Sequence, residues 1–221
     1  MDLLDQKREN KSLTTLIFEK IREDILNGEY RNDEKIVEAK VADELGVSRT
    51  PVREALKQLE LDGLVENIPN RGVVVRGITP QDVDDIYTMR IAVEGIVARW
   101  SVTRISEEAL AQMKEVYELM EFYTMKNDID KIFELNTKFH EIIYTAASSR
   151  YLEHVLKDFQ QFIKSTRKKS LAMEGRAQKA LEEHKRIVDA FYARDVDKAV
   201  EALTYHIGQS QKNAGKAVKG L

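Results

Sequence analysis

The sequence has no cysteine and only three prolines in 221 residues. Without cysteine there can be no disulfide, no thiolate nucleophile and no Cys-type zinc site, so only His, carboxylate or amide groups could hold a metal. No apolar run approaches the ~20 residues that span a bilayer, and residues 1–8 lack the apolar stretch of a secretory signal. We therefore expect a cytoplasmic protein with no membrane segment.

The overall charge lacks the basic character of many DNA-binding proteins. The formal net charge is -3 and the pI is about 5.9. Residues 1–77 contain 13 Lys and Arg against 16 Asp and Glu, a net charge of -3, which leaves 22 of each sign in the remainder. Any contact with DNA must therefore come from a few locally placed arginines.

Three short helices are predicted in the first third of the chain. Apolar residues recur every four positions from Leu13 to Ile25, which is the spacing of a buried helical face. A second helix ends at Gly46, and a third follows with Pro51 in its first turn, where a missing N–H does no harm.

A β-hairpin is predicted after the third helix. Residues 64–68 and 73–76 carry β-branched side chains on either side of turn-forming residues 69–72. Three helices and a hairpin of this size predict a winged helix-turn-helix domain over residues 1–77.

The rest of the chain has helical periodicity throughout, with no proline after Pro80. Six segments are predicted as helices: 79–103, 106–126, 128–147, 150–172, 176–193 and 196–214. Short loops between them predict an antiparallel all-helical bundle of six to seven helices over residues 78–221. The expected fold class is mainly α, in two domains without a long linker.

The start of the third helix carries candidate DNA-contacting side chains. Arg49 and Arg53 lie one turn apart, opposite the apolar face, and arginine can present a bidentate fork to guanine. The hydroxyls of Ser48 and Thr50, with free first-turn N–H groups, suit phosphate oxygens. A solvated face whose charges pair with neighbouring side chains is the alternative, and these residues alone leave both open.

The hairpin tip offers a second candidate contact. Arg71 is placed to enter a minor groove or to touch its phosphates, and Gly72 permits a close approach.

The sequence resembles the FadR branch of the GntR family of bacterial regulators. The matching residues are Val47-Ser48-Arg49-Thr50-Pro51-Val52-Arg53-Glu54-Ala55-Leu56, then Leu59, Asp62-Gly63-Leu64-Val65 and Arg71-Gly72. The resemblance covers the entire chain. It implies a winged helix-turn-helix with Arg49, Arg53, Thr50 and Gly72 at the DNA, acting as a homodimer on a palindromic operator.

One position departs from the family pattern. Ala39, with Lys40 beside it, stands where the family often has a basic DNA-contacting residue in the second helix. The resemblance also implies a repressor that a small organic acid releases from DNA by shifting the two reading helices of the dimer.

Three of the four histidines fall on apolar faces of predicted helices. His184 and His206 each lie eleven residues from Asp195, at the turn between two helices, so antiparallel packing places them side by side. His140 lies on a third helix, one turn after Asn136. A single histidine on such a face is more often a hydrogen-bonded core residue, but three that converge with an amide oxygen suit Zn²⁺ or Ni²⁺.

The resemblance supports a metal at these residues. It implies an Asp, a His four residues on and two later histidines as ligands, which match Asn136, His140, His184 and His206. Asn136 replaces the usual Asp and is a weaker, neutral donor.

Arg90 occupies an arginine position typical of the family. It could meet an effector carboxylate or pair with Glu94, and the sequence leaves both open. Arg167 is a further candidate, although residues 164–169 have the composition of a solvated charge run.

Three functions are compatible with these features. The first is a DNA-binding regulator that responds to a small carboxylate, bound on a divalent metal. The second is a regulator for which the metal itself is the signal. The third is a helical-bundle metalloenzyme that uses bound water as nucleophile. The third lacks an obvious general base on the histidine faces, so we expect a regulator and no catalytic residues.

Overall fold

The structure is a computed structural model that describes residues 11–218, apart from the side chains of residues 165, 217 and 218. Residues 1–8, which bear on a secretory signal, lie outside this range. No described helix is both long and apolar enough to cross a membrane. The chain divides into two compact units between Thr79 and Pro80.

The first unit has the three helices and the hairpin that the sequence predicts. Its elements are α1 (Leu13–Asn27), α2 (Glu38–Leu45), α3 (Arg49–Leu61), β1 (Val65–Ile68) and β2 (Gly72–Val75), with β1 and β2 antiparallel. Ile17, Val52 and Leu59 are fully buried between the helices, and each such side chain contributes about 1.5–3 kcal/mol to stability.

The turn between α2 and α3 depends on a glycine. Gly46 ends α2 with a φ of 64°, a left-handed conformation that strains a β-branched residue. Val47 then donates to the carbonyl of Ala42 at 2.9 Å, and Ser48 begins α3 in an extended conformation. Val52 and Leu56 are buried on one face of α3, and the side chains of Arg49 and Thr50 in its first turn are exposed to solvent.

The hairpin is joined to the helices by a short third segment. Ile36 donates to Val73 at 2.9 Å, and Val75 donates to Glu34 at 2.9 Å. Gly72 has a φ of 85°, and a Cβ there would lie 3.3 Å from Cε of Lys35. The hairpin tip is therefore packed closely against residues 34–36.

The second unit contains six helices among the described residues. They are α4 (Pro80–Arg104), α5 (Glu107–Met125), α6 (Ile129–Ala146), α7 (Arg150–Leu171), α8 (Arg176–Tyr192) and α9 (Val196–Val218). Ser106 caps α5 by accepting from the backbone N–H of Ala109 at 3.1 Å. Helix α9 packs mainly on α4 and α8, and α5 packs on α6. The mainly α fold class and the six-helix bundle are confirmed.

Candidate functional site

The first turn of α3 is exposed and basic. Ser48, Arg49 and Thr50 are all exposed, and the Ser48 hydroxyl makes no capping hydrogen bond. Within residues 11–218, the Arg49 side chain has no hydrogen bond or ion pair. It is therefore a solvated cation at the outward end of a helix.

Arg53 is exposed as well, but it is paired. Its Nε donates to Oε1 of Glu38 at 3.2 Å and its Nη2 donates to Oε2 at 3.0 Å, while 57% of its side chain stays exposed. Glu54 pairs instead with Lys57 at 3.0 Å. One edge of the Arg53 guanidinium is thus held by α2, and Nη1 points away from that pair.

The hairpin tip bears Arg71 and Gly72. The Arg71 side chain is exposed, and its Nη2 donates to the carbonyl oxygen of Asp33 at 3.1 Å. This contact holds the guanidinium against the loop that precedes α2.

Three buried histidines meet in the second unit. His140 on α6, His184 on α8 and His206 on α9 place one ring nitrogen each within 4.8 Å of the others. The Nε2 atoms of His140 and His206 are 3.3 Å apart. Two nitrogens bound to one tetrahedral zinc at the usual bond length are separated by about 3.3 Å, so this spacing fits a metal.

Two of the histidines have their outer nitrogens fixed by acceptors. Nδ1 of His184 lies 2.6 Å from the carbonyl of Ala180, and Nδ1 of His206 lies 2.7 Å from Oε2 of Glu183. Because these oxygens accept, Nδ1 carries the proton and Nε2 keeps a lone pair directed inward. The buried Nε2 of His184 has no hydrogen-bond partner.

The outer nitrogen of His140 faces a carboxylate. Its Nδ1 lies 3.8 Å from Oε2 of Glu94, and neither atom has a hydrogen bond. Burial, together with the neighbouring histidines, holds the pKa of His140 well below 6.5. Burial likewise lowers the pKa of His184 and, against the opposing effect of Glu183, that of His206. All three are neutral at pH 7, which is the form that binds metals.

A small cavity lies beside the histidines. Asn136 lines this central cavity with His140, His206 and Tyr87, so the structure places Asn136 next to the cluster. The cavity has a volume of about 10 Å³, which is room for about one water molecule.

Three buried arginines line the same central cavity. Arg90, Arg167 and Arg176 are only 2%, 7% and 5% exposed. Arg90 donates from Nε to Oε1 of Glu94 at 2.8 Å, and Arg176 forms two hydrogen bonds with Glu183, at 2.9 and 2.8 Å. Two of the three cations are therefore neutralised by carboxylates.

Arg167 differs from the other two. Its Nη2 donates to Oγ1 of Thr137 at 2.9 Å and its guanidinium lies 5.0 Å from the Phe133 ring, but Nε and Nη1 have no partner. In the described part of the chain no carboxylate lies within 4 Å of it. Burial, and then repulsion from Arg90, lowers the pKa of Arg167 to about 10. A buried cation without a counter-charge is costly to the fold.

Both units match known protein families. The bacterial regulatory proteins of the gntR family match residues 13–75, and the FCD domain matches residues 85–209. The chain belongs to the GntR family.

Relatives of this GntR-family chain are regulators. It is 30% identical over 190 residues to an uncharacterized HTH-type transcriptional regulator, YdhC, of Bacillus subtilis, covering 86% of this chain and 85% of that one. It is 27% identical over 191 residues to the HTH-type transcriptional repressor RspR of Escherichia coli, covering 86% and 84%. The chain is a transcriptional regulator and not an enzyme.

A solved structure supports the fold. Escherichia coli McbR/YncC matches 90% of this chain and 95% of its own with a TM-score of 0.71 at 21% identity. The gntR domain implies DNA binding, and the FCD domain implies a small-molecule effector.

The structure corrects one expectation about this GntR-family regulator. Arg167 is buried and not part of a solvated charge run, because it lies on the face of α7 that also buries Ile163 and Ser170. Arg90, the predicted effector residue, lines the central cavity, but its guanidinium is paired with Glu94.

Sequence reasoning missed three residues of these sites. Arg176 and Glu183 lie seven residues apart on one face of α8, beyond the three or four residues at which helical side chains usually pair, so their spacing did not indicate the contact. The contact of Glu38 with Arg53 crosses from α2 to α3 and leaves no local signal.

Proposed function

We propose that this regulator is a cytoplasmic repressor of the FadR subfamily that binds a palindromic operator as a homodimer. Residues 1–77 form the DNA-binding domain, and residues 78–221 form the effector-binding and dimerisation domain. The relative RspR is named a transcriptional repressor, which supports repression, and not activation, as the function of this chain. One reading helix covers only a half-site, and a palindrome therefore requires two copies.

The DNA contacts are assigned to the start of α3 and to the hairpin. Arg49 and Arg53 read bases, Ser48 and Thr50 bind phosphates, and Arg71 with Gly72 meets the minor groove. The observation that carries this proposal is the exposed position of Arg49 in the first turn of α3, where no group within residues 11–218 neutralises it.

Replacing Arg49 tests the proposal. The operator is selected from random palindromic DNA by the wild-type protein, and gel-shift titration compares Arg49→Ala with Lys20→Ala. Loss of a bidentate base contact costs about 1–3 kcal/mol, so Arg49→Ala should bind about 5- to 150-fold more weakly. Lys20→Ala removes the same charge from α1 and should bind as the wild type does. Full specific affinity in Arg49→Ala would exclude this reading helix.

The effector is proposed to be a small carboxylate in the central cavity. Arg167 supplies the unpaired cation for it and Arg90 lies beside it. A zinc or nickel ion would be held by His140, His184 and His206, with the amide of Asn136 as a weaker fourth donor. Such a metal would attract the carboxylate as a Lewis acid. The carboxylate changes operator affinity only if it binds two conformations of the protein unequally.

A second candidate is a regulator for which the metal alone is the signal. The small volume of the central cavity, about 10 Å³, favours it, because an organic acid needs the cavity to open. Operator affinity measured with and without Zn²⁺, in the absence of any organic acid, separates the two. A change on adding Zn²⁺ alone supports the metal signal, and no change supports the carboxylate.

A further inference from the structure

Glu183 contacts both Arg176, which lines the central cavity, and His206 of the histidine cluster. Its Oε1 accepts from Nη1 of Arg176 at 2.9 Å, and its Oε2 accepts from Nη2 at 2.8 Å. The same Oε2 accepts from Nδ1 of His206 at 2.7 Å. One carboxylate therefore joins an arginine that lines the cavity to a histidine of the cluster.

The bidentate contact fixes the plane of the Glu183 carboxylate. Glu183 and Arg176 are both buried, and Nη2 of Arg176 also lies 3.4 Å from Oγ of Ser210. The carboxylate consequently presents one fixed acceptor to His206. A histidine whose Nδ1–H is held in this way keeps the lone pair on Nε2, which here points to His140.

We propose that Glu183 is a positioning residue for metal binding, which holds His206 as its Nδ1–H tautomer with Nε2 aimed at His140 and His184. Arg176 anchors Glu183 in that role. The inference rests on the proposed metal site. A purely structural Arg176–Glu183 ion pair is the competing explanation, and it makes no demand on the tautomer of His206.

The tautomer of His206 is measured in the metal-free full chain by ¹H–¹⁵N correlation of ¹⁵N-labelled histidines. The wild type should show a protonated Nδ1 and a bare Nε2 for His206. Glu183→Ala should shift His206 towards the Nε2–H form, and Glu182→Ala, an exposed neighbour on the same helix, should leave it unchanged. The wild-type pattern retained in Glu183→Ala would overturn the proposal.

Zinc affinity gives the second readout, by competition with a chelator. Loss of a residue that orients a metal ligand typically costs about 10- to 100-fold, which is the loss expected in Glu183→Ala. Glu183→Gln keeps one oxygen and should recover part of this loss, whereas Glu182→Ala should bind Zn²⁺ as the wild type does. Equal affinity in wild type, Glu183→Ala and Glu183→Gln would overturn the proposal.

Two further outcomes are separable. If Glu183→Ala does not fold, Glu183→Gln carries the test, because its retained volume preserves packing while a mixed tautomer and weaker zinc binding are still expected. If the wild type binds no Zn²⁺, the proposed metal function fails. The tautomer in the metal-free protein still decides the role of Glu183.

Discussion

The arginines of the two units are held in opposite ways. Arg49 on α3 is exposed and unpaired, and Arg53 is exposed beside Glu38. In the helical unit, Arg90 and Arg176 are buried against carboxylates, and Arg167 is buried without one. Arg49 and Arg167 therefore both lack a carboxylate partner, one in solvent and the other in the protein interior.

The difference shows when an unpaired cation is informative. Water solvates Arg49, so the missing partner costs little, and only its place on the helix points to DNA. Arg167 is desolvated, and the fold must offset that cost elsewhere. An unpaired charge is therefore weak evidence for a ligand at the surface and strong evidence in the interior. Single substitutions should accordingly have larger effects at the buried site.

The largest expected effect is a loss of folding stability at acidic pH, which the buried histidines cause. Their native pKa values lie below 6.5, so below that pH the unfolded chain binds protons that the native state does not. The free energy of unfolding should fall as the pH drops from 7 to 5, by up to about 1.4 kcal/mol per pH unit for each histidine. Urea titrations in the presence of a chelator measure this loss.

Matched variants assign the acid effect to the cluster. His184→Gln should show a shallower pH dependence, whereas His154→Gln, at an exposed position, should keep that of the wild type. A free energy of unfolding that stays constant between pH 7 and 5 would show that the buried histidines do not stay neutral.

Arg167→Met should separate ligand binding from stability. Removing a buried charge that lacks a partner should leave stability unchanged or raise it by about 1–4 kcal/mol. The same change should weaken acetate binding about 10-fold or more, since hydrogen bonds to charged groups contribute about 1.5–3 kcal/mol. Thermal unfolding and NMR titration with acetate measure the two effects. Lys169→Met, an exposed neighbour, should change neither, and unweakened acetate binding in Arg167→Met would refute the anion site.

Glu38→Gln should have the smallest effect, at the exposed site. Without its carboxylate, residue 38 no longer neutralises Arg53, so the reading helix carries one more uncompensated cation, which steepens the dependence of log affinity on log salt by about 0.9. Binding to random DNA should strengthen more than binding to the operator. Fluorescence anisotropy at several salt concentrations measures both, with Glu29→Gln as an exposed control. An unchanged salt dependence would mean that Glu38 does not restrain Arg53 in the complex.

The fold follows from sequence periodicity more fully than the sites do. Apolar residues spaced by three and four predict all nine helices of the described range to within a few residues, because a buried face must repeat with the helical turn. The meeting of His184 and His206 was also predictable, by counting from the turn at Asp195, whereas His140 was added from its apolar helix face and the family resemblance. Helical rise is fixed, so equal distances from a turn bring side chains together.

Apart from the Arg90–Glu94 pair, which the sequence left as one of two alternatives, the pairing within the sites was not predictable. Whether Arg167 is solvated or buried depends on which face of α7 packs inward, and a run of charged residues hides that face. The contact between Glu38 and Arg53 depends on the angle between two helices. Neither property is encoded in local spacing.

The most direct test of the buried site is a calorimetric titration of metal-free protein with Zn²⁺. We expect about one equivalent of Zn²⁺ bound per chain, loss of that binding in His184→Ala and wild-type binding in His154→Ala. Absence of Zn²⁺ binding in the wild type, or unchanged binding in His184→Ala, would contradict the proposed metal site.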